Sequence, residues 1–523
     1  MKIFSLFLCL IASSSYGQIT FQNIYGGTVS EAGNSVLQTN DGGYIILGST
    51  TSFGSGGADI YLVRTDSNGN MLWNRTYGGT GDDWGSAIAQ TNDSGFIIAG
   101  STSSFGAGLD DIYLLKIDAN GDTLWSKTYG GTDDDEGYSV QQTNDGGYIV
   151  TGSTLSFGAG SDDVYLIKTD ASGNMVWNKT YGGTNIDIGN SVRQTKDGGY
   201  IVAGETYSFG VGGFDIYLLK TDANGNEVWN ETIGGGADDN GTAVQQTSDN
   251  GYIITGITAS FGAGNYDAIL IKTDANGTVN WSRTYGGTSG DESYSVQQTK
   301  DGGYIFGGYT SSFGFGNFDA YVIKTKSNGD TIWTKVYGGT DYDAANSVLQ
   351  TNDGGYIIAG YSNILNAGGN EEIYLLKTDV NGNLGCNEDT TATIVSSFAA
   401  QTTNPTPTVS SGCLTGSNPL SIDTGGNENI VCTSVSINEL TENNKAVIYP
   451  NPFSQSAKLT MNAFLSTTRC ELVIYDVTGR TLQHTIITDK STIINRGNLS
   501  AGLYFYRVTN QECSVPQSLD CIL

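Results

Sequence analysis

The sequence predicts an all-β protein: a seven-bladed β-propeller followed by a small immunoglobulin-like β-sandwich. Three observations predict it. The element Tyr-Gly-Gly-Thr starts at Tyr25, Tyr77, Tyr129, Tyr181, Tyr285 and Tyr337, with a weaker copy at Ile233, so one unit returns every 52 residues, seven times. Periods of this size belong to solenoids, arrays and propellers. Each unit holds four short alternating runs separated by Asp-Gly or Asn-Gly turns, and four antiparallel strands in a row make one blade. Lastly, the ends of the repeat are unequal in a way that closes a ring.

In the first unit the strands are predicted at Ser35–Thr39, Tyr44–Thr50, Asp59–Thr65 and Met71–Tyr77. The turns Asn40-Asp41-Gly42-Gly43 and Asp66-Ser67-Asn68-Gly69 supply Gly and Asn where tight turns need positive φ. A longer loop, Thr51–Ala58, carries Ser52-Phe53-Gly54. No stretch has a 3.6-residue apolar period, so almost no helix is expected. Phe21 occupies the place of Trp73 one period earlier and heads a lone fourth strand, Ile19–Ile24. The seventh unit has its first three strands, ending at Tyr374–Asp379, and then Cys386 where a Trp belongs. The N-terminal strand is therefore expected to complete the last blade and remove the open sheet edges, giving a propeller over residues 18–386. Short turns fall on one face of the ring and the Ser-Phe-Gly and Tyr-Gly-Gly-Thr loops on the other, where binding is expected.

Composition narrows the function. The chain has 523 residues, 74 Gly but only 6 Pro, and a net charge of −29. So acidic a surface repels phosphate backbones, and nucleic acid is excluded as a partner. The single histidine, His484, lies outside the repeats, which therefore contain no Ser-His-Asp or Cys-His machinery and no His metal ligand. Lys2, the apolar run Ile3–Ala12 and the small residues Ser15 and Gly17 read as a signal peptide over residues 1–17. No segment is long and apolar enough to be transmembrane, and a monomer is expected. Beyond Cys9, six cysteines lie outside the repeat cores: Cys386, Cys413, Cys432, Cys470, Cys513 and Cys521. Export permits disulfides among them, in a pairing the sequence leaves open.

Residues 387–440 are rich in Thr, Ser, Asn, Pro and Gly and read as a linker or an appendage on the last blade. A second domain of short alternating strands spans residues 441–523.

Two resemblances follow from particular residues. Tyr77-Gly78-Gly79-Thr80, Asp83, Asp145-Gly146-Gly147-Tyr148, Ser156-Phe157-Gly158 and Asp163-Val164-Tyr165 make the repeat similar to bacterial seven-bladed propeller repeats of the Asp-Gly-Gly-Tyr, or SBBP, type. That resemblance implies an exported propeller. The C-terminal region resembles the type A sorting domain of the type IX secretion system of Bacteroidota. The marks are Tyr449-Pro450-Asn451-Pro452-Phe453, Leu472–Asp476 with Tyr475 and Asp476, Gly479-Arg480, and Leu499-Ser500-Ala501-Gly502-Leu503-Tyr504. The resemblance implies the secretion machinery as a partner, and secretion or attachment at the outer-membrane surface. The end of the chain departs from the pattern, because residues 511–523 lack the usual Gly-Lys-containing final strand.

Three residue series are candidates for function. Trp73, Trp125, Trp177, Trp229, Trp281 and Trp333 occupy one place in every blade and read as packing. Two acidic series stand at strand entrances on the long-loop face: Asp83, Asp135, Asp187, Asp239, Asp291 and Asp343, and Asp59, Asp111, Asp163, Asp215, Asp267 and Asp319, with Glu31 and Glu372 in the first and last units. They are expected to brace their own Gly-rich loops; the alternative for the Asp83 series is calcium, the one cofactor the sequence suggests. The third series varies from blade to blade: Trp84, Asp110, Asp162, Phe214, Tyr266, Phe315, Phe318 and Tyr342. Aromatics beside acids suit a glycan or a surface protein. The expected function is a non-catalytic binding or display module, because near-equivalent blades lack an asymmetric acid, base or nucleophile. The alternative is glycan cleavage by two carboxylates such as Asp110 and Asp162.

Overall fold

The computed structural model describes residues 18–363, 370–384, 388–391 and 393–398. It further describes strands at 401–403, 408–410, 414–416, 421–423, 427–435, 446–449, 456–461, 470–476, 481–487, 491–495 and 504–510. The described residues contain no helix. The chain divides into two compact units, Ile19–Ser434 and a second one containing Val435–Leu523.

The first unit is the propeller. β1 is Ile19–Gly26, and blade 1 is an antiparallel sheet of β2 (Glu31–Gln38), β3 (Tyr44–Thr50), β4 (Asp59–Thr65) and β5 (Met71–Gly78). Blades 2 to 6 repeat this order. Blade 7 consists of Asp343–Gln350, Tyr356–Ser362 and Glu372–Thr378, and it takes its fourth strand from β1, with Phe21 opposite Lys377 and Tyr25 opposite Ile373. The ring closes as the unequal repeat ends predict.

The first strand of each blade begins earlier than its alternation suggests: β2 starts at Glu31, not at Ser35. A bulge between Gly33 and Ser35, repeated between Gly85 and Ala87 and in the other blades, sets two residues against one and interrupts the period of two. The acidic residue upstream of the bulge belongs to the strand, but the sequence pattern hides it.

The core lies between blades. Ile45, Leu47, Ile60 and Leu62 of blade 1 pack with Ile98, Tyr113 and Leu115 of blade 2 in one buried cluster, and comparable clusters fill the other junctions. Each joint is pinned by the fourth strand. Trp73 lies under Gly121 of the next blade's turn, and Tyr77 donates to the Gly121 carbonyl at 2.6 Å. Gly121 has φ +85°, and an added Cβ would sit 3.0 Å from the Trp73 ring, so the turn requires glycine twice over. Trp125, Trp177, Trp229, Trp281 and Trp333 meet Gly173, Gly225, Gly277, Gly329 and Gly382 in the same way. The Trp series is structural.

Where a linker or an appendage of the last blade is expected, the chain instead runs back around the ring. Glu388–Thr390, Ile394–Ser397, Gln401–Thr403, Thr408–Ser410, Leu414–Gly416 and Ser421–Asp423 add a fifth strand to blades 6, 5, 4, 3, 2 and 1 in turn, and Asn427–Val435 adds one to blade 7. The residues paired with Tyr337, Tyr285, Ile233, Tyr181, Tyr129 and Tyr77 are Glu388, Val395, Thr402, Val409, Thr415 and Ile422, steps of seven residues and once six. Phe398 anchors this belt: it stacks on Phe261 with ring centroids 4.2 Å apart, and its carbonyl accepts the Ser282 hydroxyl at 2.6 Å. The belt covers every blade's outer edge, which would otherwise present unpaired backbone groups.

Among the described residues the second unit has six strands in two three-stranded antiparallel sheets, the strand complement of the expected sandwich. Tyr449 pairs with Lys458, Tyr475 with Phe505 and Asp476 with Tyr504. Pro450, Asn451, Pro452, Phe453, Gly479, Arg480, Gly502 and Leu503 lie outside the described residues, as do residues 1–17, Cys386, Cys413 and residues 511–523.

Candidate functional site

The long-loop face is built on paired carboxylates. In blade 2, the buried Asp83 accepts hydrogen bonds from the Gly79 N–H at 2.7 Å, the Ser104 hydroxyl at 2.6 Å and the Thr102 hydroxyl. Asp135, Asp187, Asp239 and Asp291 take the corresponding Thr hydroxyl and Gly N–H bonds in blades 3 to 6. Asp343 accepts the Gly339 N–H at 2.8 Å. The second series braces the preceding loop: Asp59 accepts from Ser55 N–H at 2.8 Å and Asp111 from Ala107 N–H at 2.7 Å. Both series therefore tie a loop to a strand end four residues away. Among the described residues no group of three or more His, Cys, Asp or Glu side chains is placed to hold a metal ion.

The two series meet across a glycine. A Cβ on Gly78 would collide with Asp59 Oδ1 and lie 2.6 Å from Asp83 Oδ2; Gly130, Gly182 and Gly234 are bracketed alike. This explains the first glycine of the repeated Tyr-Gly-Gly-Thr. Burial pushes the carboxyls of Asp111, Asp163 and Asp215 up to about 6, and the charge across the glycine, on Asp135, Asp187 and Asp239, pushes the same way. Burial raises Asp83 and Asp135 as well, against the bonds they accept.

Around the mouth of the ring the blades cease to be equivalent. Trp84, Glu136, Ile188, Asn240 and Glu292 hold one position of the first strand, opposite Ser101, Ser153, Glu205, Ile257 and Tyr309 of the second. Blades 2 and 3 are acidic. Burial raises Asp110, and the Asp134, Glu136 and Asp82 carboxylates add to the effect. Burial raises Asp162 too, and it shares the Asp134 charge. Trp84 projects from this arc with 42% of its surface exposed.

Blades 4 to 7 are aromatic. Tyr207 and Phe214 meet at 5.1 Å, Tyr309 and Phe318 at 4.7 Å, and Phe318 and Tyr342 at 5.4 Å. Tyr266 bridges to Gly290, and Phe318 to Tyr342, in short parallel pairings that tie neighbouring blades together. Phe315, Tyr342 and Tyr266 remain 59%, 42% and 41% exposed. The structure thus gathers Phe315, Phe318, Tyr342 and Tyr266 on one arc, and Trp84, Asp110 and Asp162 on another; Phe214 begins the aromatic side.

Several rim residues are absent from the sequence reading. Glu205, raised to about 7 by burial and by the Asp238 charge, stands where Ser49, Ser101 and Ser153 stand in earlier blades. Tyr309 and Tyr361 share that column. Tyr294 donates to Glu292 at 2.5 Å from the inner strand. Aligning the second strands of the repeats, not only their loops, carries the signal for the column.

Comparison with known proteins places the C-terminal unit. Residues 447–519 match the family model of the secretion system C-terminal sorting domain. The second domain is a type IX sorting domain. It marks the chain for export and for secretion or attachment at the outer-membrane surface. Among the described residues no helix is long and apolar enough to cross a membrane. Over 386 residues the chain is 25% identical to the regulatory protein FlaEY of Caulobacter vibrioides, covering 65% of this chain and 38% of that protein. Among solved structures it is similar to PorZ, a surface component of the type IX secretion system of Porphyromonas gingivalis, at 10% identity and a TM-score of 0.32, over 92% of this chain and 58% of that one. It is also similar to an α-L-arabinanase from Penicillium chrysogenum at 10% identity and a TM-score of 0.35, over 70% of this chain and 98% of that one. The chain thus spans well under two thirds of FlaEY and of PorZ.

One expectation is corrected by these neighbours. The chain was expected not to be an enzyme, because its blades are nearly equivalent and lack histidine. The arabinanase, and an α-L-arabinofuranosidase from Fusarium graminearum that is 12% identical with a TM-score of 0.36 over 69% of this chain and 98% of that one, are glycosidases among the propeller neighbours. Blade similarity and missing histidine do not set the chain apart from enzymes, and the non-catalytic assignment does not stand.

Proposed function

We propose that the long-loop face of this surface propeller binds a glycan, with the aromatic arc stacking on sugar rings and the acidic arc accepting their hydroxyls. The observation that carries this reading is the exposure of Phe315, Tyr342 and Tyr266 on one arc of the mouth and of Trp84 on the other, beside the Asp110, Glu136 and Asp162 carboxylates. Large rings are normally buried or paired, and clustered exposed ones mark recognition sites. Sugars present apolar faces to such rings and hydroxyls to carboxylates. The net charge of −29 disfavours anionic polysaccharides, so the ligand class is neutral or amino-bearing.

The test is a glycan array probed with the full chain, beside a panel of extracellular-matrix proteins. A neutral-glycan hit lost in the double variant Trp84→Ala, Tyr266→Ala supports the reading. A hit that survives both substitutions rejects this placement, and hits confined to protein ligands reject the glycan class.

A further inference from the structure

The opposite end of the ring holds a feature unlike the rest of the molecule. Leu37, Ala89, Gln141 and Arg193 occupy one register position on the innermost strands of blades 1 to 4, opposite Ile45, Ile97, Ile149 and Ile201. All four line a single cavity of about 400 Å³, together with residues of the short turns such as Asn92 and Asn144. Because it joins strands from four blades, the cavity lies in the central channel. None of its lining residues is acidic, although the chain carries 53 Asp and Glu against 24 Lys and Arg.

Arg193 has no carboxylate partner among the described residues. The basic side chains of the third strands do: Arg64, Lys116, Lys168, Lys220, Lys272, Lys324 and Lys377 each pair with the Asp of the turn between the first and second strands. Arg193 bonds only neutral oxygens, with Nη1 donating to the Val192 carbonyl at 2.7 Å and the Ser139 hydroxyl at 3.3 Å. That anchor leaves the rest of the guanidinium turned to the cavity. Next to it, Gln141 Oε1 accepts the Gln194 N–H at 2.7 Å, which fixes the side-chain amide so that its NH₂ is the free end. Arg193 is only partly buried against the cavity, and the burial it has pushes its guanidinium below the ordinary range.

The remaining blades extend the asymmetry. Gln245 and Gln297 continue the donor arc in blades 5 and 6, and Leu349 of blade 7 continues the apolar arc of Leu37 and Ala89. At this register position one side of the channel offers a guanidinium and amide donors, and the other offers Leu349, Leu37 and Ala89.

We propose that this cavity is a binding site for a small organic carboxylate, whose head meets Arg193 and Gln141 and whose short apolar tail lies against Leu37 and Ala89. A guanidinium fork matches a carboxylate, and the apolar arc distinguishes such a ligand from an inorganic anion. The site lies at the other end of the ring from the rim and does not depend on it.

The test is thermal unfolding of the full chain in sodium butyrate, acetate, phosphate and chloride at matched ionic strength, with equilibrium dialysis of labelled butyrate as the direct measure. Saturating butyrate is expected to raise the midpoint by ~2–4 °C, acetate by less and chloride not at all. Arg193→Gln weakens butyrate at least ~10-fold. Leu37→Ser, which leaves the guanidinium in place, keeps the acetate response and loses the advantage of butyrate; it carries the test should Arg193→Gln not fold. The proposal is overturned by no response of the native chain to butyrate, by an equal response in Arg193→Gln, or by phosphate matching butyrate.

Discussion

The two faces of the ring obey different rules. On the short-turn face the blades repeat one solution: a basic side chain from the third strand reaches the Asp of the turn between the first two strands, and an aromatic clamp from the preceding blade, a Trp and a Tyr except where Phe21 or Ile233 takes a place, holds an Asn-Gly turn or its equivalent. On the long-loop face the loop braces repeat, but the residues beside them change from Trp84 and Asp110 to Phe214, Tyr266 and Phe318. Sameness marks the joints that every blade needs. Departure from sameness marks places where no joint constrains the residue and a ligand can.

This contrast can be broken most forcefully at a joint. Trp125→Ala removes the ring that packs on Gly173 and, at 5.8 Å, on Tyr148 of the next blade; it should destabilise the propeller by about 3–5 kcal/mol, read as a lower urea midpoint. Next come the ion pairs, where the two partners are unequal. Lys168 is buried and Asp145 largely exposed, 3.0 Å apart. Asp145→Ala leaves a buried ammonium unpaired and should cost about 3 kcal/mol, whereas Lys168→Met leaves a solvated carboxylate and should cost roughly 1 kcal/mol. Equal losses would show that the pair acts only as a surface contact.

Acidity separates the faces further. On the long-loop face Asp111, Asp163 and Asp215 titrate near 6 in the fold against an ordinary 3.8, so folding takes up protons between those values. Their contribution is fully present below 3.8 and is lost as the pH rises through 6. On the short-turn face burial acts upward on Asp93 and Asp145, but the Thr91 and Thr143 hydroxyls and the Lys116 and Lys168 ammoniums outweigh it and hold both carboxyls at about 2. Their contribution is present above 3.8 and is lost as the pH falls towards 2. The midpoint of thermal unfolding should therefore peak near pH 4–5 and decline on both sides. Asp111→Asn should flatten the decline above pH 5, and Asp145→Ala the one below pH 4.

The smallest effect on stability belongs to the rim. Phe315→Ala and Tyr342→Ala should change the urea midpoint by no more than about 0.5 kcal/mol in equivalent stability while abolishing retention on an immobilised glycan hit. Loss of stability there would mean that the aromatic arc is another joint.

Much of this was legible in the chain. The 52-residue period, the lone strand headed by Phe21 and the missing Trp at Cys386 suffice for seven blades and their closure, because hairpin turns and alternation are local signals. The belt was not legible. Its strands mostly hold three or four residues, too few to show alternation, and their pairing is with blades far away in sequence. The trace it leaves is a seven-residue step within a Thr- and Ser-rich stretch, with Val395, Val409 and Ile422 at equivalent places. The rim was half legible: Tyr266, Phe315 and Tyr342 stand out in loops, but Glu205 and Tyr309 sit within strands, where side chains are expected to serve the core. Arg193 was invisible for the opposite reason, since one basic residue in a strand has no pattern to break until its neighbours around the channel are known.

The belt also decides where the molecule bears load. The ring has one seam, the blade closed by Ile19–Gly26, and that strand is flanked by Glu372–Thr378 on one side and by Asn427–Val435, the longest strand of the belt, on the other. A protein held at a surface through its C-terminal end is pulled first on that outer strand. Tension then reaches the short belt strands one blade at a time, as in opening a zip, while the four-stranded blades beneath keep their own ladders. The strand that covers the seam is thus the first to be loaded, and behind it the closure rests on the pairing of Ile19–Gly26 with Glu372–Thr378.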